Sequence, residues 1–235
     1  MIVKILGIHS SPNVHGATAQ ALQFALDCAA QIEGVETEFV GLGRKVNPCL
    51  HCDACIKKQL YYCPIYDDAI RPLYDKIQEA DGIILASPVY DMAPNAQMSM
   101  LVNRMRPLGK LTSTGGWAGK VGCAIAVGGA RNGGEETSLA VMNRFLLTLG
   151  MTVPGPGVYA YSGAGVWSRN RNDESILEDT HNRMALQVTA RRMAVLAKVI
   201  QTGLGQMPEL EGCQLAGFLD QADRQKQLEI FWKKD

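Results

Sequence analysis

Gly82-Ile83-Ile84-Leu85-Ala86-Ser87 is an apolar run of strand length with no polar alternation, and its reading decides the architecture. A strand with one wetted face alternates polar and apolar residues. An unbroken apolar run predicts a strand covered on both faces, as in a parallel sheet between two helix layers. Similar runs recur upstream at Ile2-Val3-Lys4-Ile5-Leu6-Gly7-Ile8 and downstream from Val121 to Val127. Val35-Glu36-Thr37-Glu38-Phe39-Val40-Gly41 reads as a strand with one apolar face, and Thr152 to Tyr159 as a weaker strand broken by prolines. Helical patterns lie between them, over Gly16 to Gln31, Asp67 to Ala80, Asn95 to Arg106, Glu135 to Leu149 and Ser175 to Thr202. Asp67-Asp68 suits a helix start, because carboxylates there face the positive end of the dipole. Five βα units of this kind predict a doubly wound α/β fold on a single sheet.

The 235 residues, 47% of them hydrophobic, are enough for one substantial core with a small addition. Residues 1–202 are expected to form the main domain. Residues 203–235 are expected to be a C-terminal extension, with a Gly/Pro-containing linker and a helical pattern around Leu219 to Trp232. A formal net charge of zero offers no basic excess for nucleic acid or a membrane surface. The apolar runs are too short to span a bilayer, and Met1 leads into a strand without the plan of a signal peptide. A cytoplasmic protein with no nucleic-acid or membrane partner is expected.

Four of the seven cysteines, Cys49, Cys52, Cys55 and Cys63, fall in one short segment with the spacing C-x2-C-x2-C-x7-C. Three thiols at a strict spacing of three wrap a backbone turn around one centre, and a fourth arrives from the side. That pattern suits a 4Fe–4S cube, whose corners each take one thiolate. Zinc sites more often pair two C-x2-C knuckles across a long loop. Zinc, or a loop without any metal, stays open on spacing alone. Cys28, in a helical stretch, and Cys123, in an apolar strand, read as small buried hydrophobes. Residues 42–65 exceed the usual length of a βα connection, and such loops are usually functional or disordered.

Doubly wound sheets bind ligands beyond the carboxyl ends of their strands, and three loops lie there. His9 to Thr18 contains Ser10, Ser11, Asn13, Gly16, Ala17 and Thr18, which offer hydroxyls, an amide and backbone N–H groups at a helix start, suited to an anion. The loop has no P-loop lysine and no G-x-G-x-x-G, so ATP and Rossmann-type NAD binding are poorly supported. A bound cofactor monophosphate fits it better. Ser87-Pro88-Val89-Tyr90-Asp91-Met92-Ala93-Pro94-Asn95 gives a stiff turn with an aromatic at its rim, suited to a flat ring. Gly128-Gly129-Ala130-Arg131, with Gly133 and Gly134, lets the backbone approach a ligand closely and aim N–H groups at it.

With these residues the chain resembles the NAD(P)H-dependent FMN reductases of the flavodoxin-like superfamily, and within them the iron–sulfur flavoproteins. The matching residues are Ser11-Pro12 and Gly16-Ala17-Thr18, Ser87 to Tyr90, the Gly128 to Gly134 loop, the cysteine segment, Asp67-Asp68 and Arg104. Asn13 stands where the family usually has Arg or Lys, and Asp91-Met92 replaces its usual aromatic. The resemblance implies a flavodoxin-like five-stranded parallel sheet in the order 2-1-3-4-5, with FMN phosphate on the first loop and the isoalloxazine against the other two. It also implies a 4Fe–4S cluster on the four cysteines and a homodimer or homotetramer. The expected activity is a flavin-dependent oxidoreductase or electron-transfer flavoprotein passing electrons between cluster and FMN. Its donor or acceptor would be NAD(P)H, ferredoxin or a small oxidant. No catalytic acid–base pair is expected, since the flavin carries the chemistry. Two other readings are a plain NAD(P)H-dependent FMN or quinone reductase without a cluster, and a zinc- or thiol-based redox sensor on the same scaffold.

Overall fold

The computed structural model describes residues 1–113, 115–169 and 176–207. Its sheet contains β1 (Val3–His9), β2 (Val35–Gly41), β3 (Gly82–Tyr90), β4 (Ala93–Pro94), β5 (Val121–Gly128) and β6 (Ala164–Trp167). The order is β2-β1-β3-β5-β6, with every neighbouring pair in that path parallel. The short β4 folds back antiparallel on β3. Leaving that hairpin aside, the order is the expected 2-1-3-4-5.

Strand alternation builds two cores. Val3 and Ile5 of β1, Ile84 and Ala86 of β3, and Val121, Cys123, Ile125 and Val127 of β5 face one side. There they meet α1 (Ala17–Ala30) and α7 (Thr180–Gln206). Leu6, Ile8, Ile83, Leu85, Ala124 and Ala126 face the other side, against α3 (Leu73–Glu79), α4 (Ala96–Arg104), the short α5 (Gly109–Ser113) and α6 (Glu135–Thr148). Both faces of β3 and β5 are thus dry over their apolar runs, as those sequences require, and β1 is dry from Ile5 onward, with Lys4 exposed at its start. Cys28 and Cys123 are buried in the first core, and burial pushes the Cys123 thiol up to about 12.

Three expected elements differ. The fifth main strand is Ala164–Trp167, whereas Thr152 makes only an isolated parallel bridge to Val121. Pro154 and Pro156 follow Thr152 and cannot donate to a ladder, so pairing stops there. The helix expected from Asp67 starts at Leu73, because Pro72 disfavours helical backbone at Arg71. α7 continues through Gly203 to Gln206. The expected helical pattern around Leu219 to Trp232 lies outside the described residues. Among the described residues, no helix is long and apolar enough to cross a membrane.

Candidate functional site

The carboxyl ends of β1, β3 and β5 bring the three expected loops together, and the residue that joins two of them is Asn95. Asn95 is 1% exposed and caps α4, its side-chain oxygen accepting from Met98 N at 3.2 Å. The same oxygen accepts from Ser10 Oγ at 2.6 Å and Ser87 Oγ at 3.2 Å, while Nδ2 donates to Ser10 O at 2.7 Å. One buried amide thus ties the end of β1 to the end of β3.

In the first loop, Asn13 N donates to Ser11 Oγ at 3.2 Å, and Asn13 Oδ1 accepts from His15 N at 3.2 Å. α1 follows with Gly16 at its N-cap, no side-chain cap and no acidic residue in its first turn. First-turn N–H groups without a capping side chain suit an anion. Thr18 and Ser11 are buried there.

The second loop is the β3–β4 hairpin. Asp91 and Met92 both have positive φ, 50° and 68°, the type I′ pattern that matches strand twist. Tyr90 and Met92 are exposed at its tip. The third loop meets it directly. At Gly134, φ is +107° and an added Cβ would lie 2.7 Å from Met92 Cα, so glycine is required both for the backbone and for the approach of the two loops. A side chain at Gly129 would instead project into open space. Glu135, 4% exposed, begins α6 and accepts from Gly133 N at 2.6 Å. Arg131 is ion-paired with Asp179 and lies 4.8 Å from the Trp167 ring centre, and Trp167 Nε1 donates to Gly129 O at 3.2 Å. β6 and α7 therefore brace the third loop.

His9 takes no part in this network. Its ring is buried against Phe39, 5.1 Å between centroids, and neither nitrogen has a hydrogen-bond partner. Burial, assisted by the nearby His15, lowers its pKa to about 4. Folding therefore favours the neutral ring. Its contribution to stability is complete above the unfolded value near 6.5 and is lost as pH falls towards about 4. At ~1.4 kcal/mol per pKa unit, the wild type should lose about 3 kcal/mol more than His9→Gln between pH 7 and 4. Urea titrations across that range measure this, and parallel curves for the two proteins would refute it.

The cysteine loop is a second centre. Cys49, Cys52, Cys55 and Cys63 all line one hollow, together with His51, Asp53, Arg104 and Arg106. The four are free thiols. Among the described residues, no three His, Cys, Asp or Glu side chains are grouped to hold a single metal ion; the thiols border a space. The loop carries only one short helix, α2 (Ala54–Lys57), and left-handed backbone at His51, Asp53 and Gln59. It is held from outside by the end of α4. Arg104 is ion-paired with the buried Asp68, which also accepts from Asn47 N at 3.0 Å and Asn47 Nδ2 at 3.1 Å. Arg106 pairs with Asp53 and meets His51 Nε2 at 3.1 Å. Burial raises the Cys55 thiol, and the neighbouring Cys63 adds to the shift. For Asp68, burial acts upward, but hydrogen bonds from Asn47 and Arg104 outweigh it and hold the carboxyl below its ordinary value.

Asn95 and Glu135 lie in the second and third expected loops without being singled out there, and Arg106 is not expected at either site. An Asn opening a helix signals a cap for Asn95, but nothing local ties it to Ser10, 85 positions away.

A parallel sheet in this order with three loops joined at its carboxyl edge defines the flavodoxin-like class, whose ligand crevice lies there. The fold superposes on a WrbA-like flavodoxin from Agrobacterium tumefaciens (TM-score 0.54, 15% identity, 85% of this chain and 98% of that one). It also superposes on a flavodoxin from the domain Archaea (TM-score 0.52, 13% identity, 83% and 99%). The chain belongs to the NADPH-dependent FMN reductase family, whose pattern it matches over residues 3–165. It is 38% identical over 208 residues to an iron–sulfur flavoprotein of Methanocaldococcus jannaschii, covering 85% of this chain and all of the relative. An iron–sulfur flavoprotein of Archaeoglobus fulgidus is 35% identical over 202 residues, covering 84% and 98%. The protein is accordingly a flavin-dependent oxidoreductase, with FMN as the flavin of its family.

Proposed function

We propose that the protein binds FMN across the three joined loops, carries a 4Fe–4S cluster on Cys49, Cys52, Cys55 and Cys63, and links one-electron with two-electron donors and acceptors. The observation that carries this reading is the convergence of all four thiols on one hollow bordered by two guanidiniums. Four thiols are the donor set of such a cluster, and nearby cations suit its anionic shell.

FMN fits the other centre. The uncapped start of α1, with Ser10, Ser11, Asn13, Gly16, Ala17 and Thr18 around it, would hold the phosphate. Ser87, Pro88, Val89, Tyr90, Asp91 and Met92 would border one part of the ring. Gly128, Gly129, Ala130, Arg131, Gly133 and Gly134 would border another, with the space beside Gly129 allowing backbone contact. FMN, when bound, supplies hydride and single-electron chemistry, and the cluster single-electron chemistry. The chain's own task is to orient: Asn95 holds two loops in register, and Glu135 holds the turn at Gly133. NAD(P)H, ferredoxin or a small oxidant would be the redox partner. A homodimer or homotetramer would bring together centres from neighbouring subunits.

An anaerobic visible spectrum with iron, sulfide and zinc analysis tests this. The expected result is flavin bands with a broad shoulder near ~400 nm and about four irons per chain. Cys52→Ser should lose the iron and keep the flavin. Flavin without iron, with pyridine-nucleotide oxidation that survives Cys52→Ser, would instead indicate the plain reductase that the family description names. Stoichiometric zinc without flavin would indicate a redox sensor.

A further inference from the structure

Arg104 is only half satisfied. It is 1% exposed, at the end of α4. Its Nη1 donates to Asp68 and lies 3.5 Å from Asn47 O. Its Nε and Nη2 are buried without any hydrogen-bond partner, although a guanidinium carries five N–H donors and keeps its charge at every relevant pH. Arg106, two residues on, shows the same defect. Asp53 and His51 take its two terminal nitrogens, while its Nε is buried and unpartnered. A dry, unpaired charged donor costs its full desolvation unless an acceptor meets it. Both arginines line the hollow that the four cysteines border.

We propose that Arg104 and Arg106 are hydrogen-bonding and charge-compensating partners of the cluster in this hollow, and that they raise its reduction potential. This rests on the cluster reading above. An iron–sulfur core held by four thiolates is anionic and gains one further negative charge on reduction. Donors and positive charge beside it therefore favour the reduced form, and cluster potentials respond to net charge and to hydrogen bonds at sulfur. Burial strengthens the effect, since little solvent screens the interaction. Asp68 and Asp53 offset part of the positive charge, so the free donors matter more than the net charge. The two arginines are positioning residues that act on the cluster's electronics and do not themselves react.

The test compares wild type, Arg104→Lys and Arg106→Gln after anaerobic reconstitution with ferrous iron and sulfide. Iron and sulfide content establish loading. A dithionite titration followed by electron paramagnetic resonance gives the midpoint potential. At a fixed poise, each loaded variant should show a reduced-to-oxidised ratio about tenfold below wild type, equivalent to about 59 mV for a one-electron couple. Arg104→Lys keeps the charge and gives up the planar fork, so its shift isolates hydrogen bonding. Should that variant fail to fold, the partly exposed Arg106→Gln decides alone. A downward shift in either supports the proposal, and an upward shift overturns it. Loaded variants that titrate with wild type overturn it, leaving the arginines a packing role. A wild type that takes up no iron removes the cluster reading itself, and this inference with it.

Discussion

Asn95→Ala is expected to destabilise the protein by about 2–4 kcal/mol and to weaken FMN retention at least tenfold. The substitution removes the α4 cap, worth ~1 kcal/mol. It also leaves the buried Ser10 O without its 2.7 Å donor, and takes from Ser10 Oγ its 2.6 Å acceptor, leaving only the longer 3.4 Å contact to Ala86 O. The orphaned carbonyl costs roughly 1–3 kcal/mol, and the hydroxyl, which keeps an acceptor, costs less. Ser87 loses less, because its hydroxyl also reaches Pro88 O at 2.9 Å. The loss should reach the flavin site, because the same amide sets the spacing of the first and second loops. Asn95→Asp separates the two roles. It keeps the cap and the acceptor but loses the Nδ2 donor, so its stability should fall between wild type and Asn95→Ala. Urea unfolding and quenching of flavin fluorescence on binding measure both effects. A loss under 1 kcal/mol with unchanged FMN affinity would show that the network is incidental.

Gly134→Ala should cost a similar amount by a different cause. At φ +107° an L side chain is strained, with a penalty of order 1–3 kcal/mol. The added Cβ would also sit 2.7 Å from Met92 Cα, a backbone atom that moves only with the whole hairpin. Overpacking of this kind adds roughly 1–3 kcal/mol. The chain is expected to respond by separating the second and third loops, so FMN affinity should fall together with thermal stability. Gly129→Ala is the control. Open space surrounds that position in the protein alone, so stability should hold while FMN affinity drops if flavin lies against the loop. Equal and negligible effects at both positions would place the flavin elsewhere.

Much of this architecture is legible in single stretches of chain. The dry runs at β3 and β5 announce a parallel sheet because no polar residue interrupts them, and β1 follows the same pattern except for Lys4 near its start. The edge strand was harder to place. Pro154 and Pro156 mark where pairing stops, but Ala164–Trp167 is an apolar run of only four residues, too short to stand out as a strand. Asp67-Asp68 resembles a capping pair, but α3 begins only at Leu73: Asp68 accepts from Ile70 N at 3.1 Å in the turn before the helix, and its other oxygen is engaged by Arg104 and Asn47.

What the sequence determined by itself is whatever neighbouring residues can express: the α/β class, the four-thiol segment and the loops rich in Ser and Gly at strand ends. Periodicity, backbone freedom and ligand type are local properties, so they survive without coordinates. Tertiary structure alone decided which distant side chains meet. It placed Asn95 between Ser10 and Ser87, and Met92 against Gly134. It also brought the guanidiniums of Arg104 and Arg106 to a hollow made by cysteines some forty or more positions earlier. These contacts depend on how the βα units stack around the sheet, and no stretch of chain spells out that stacking.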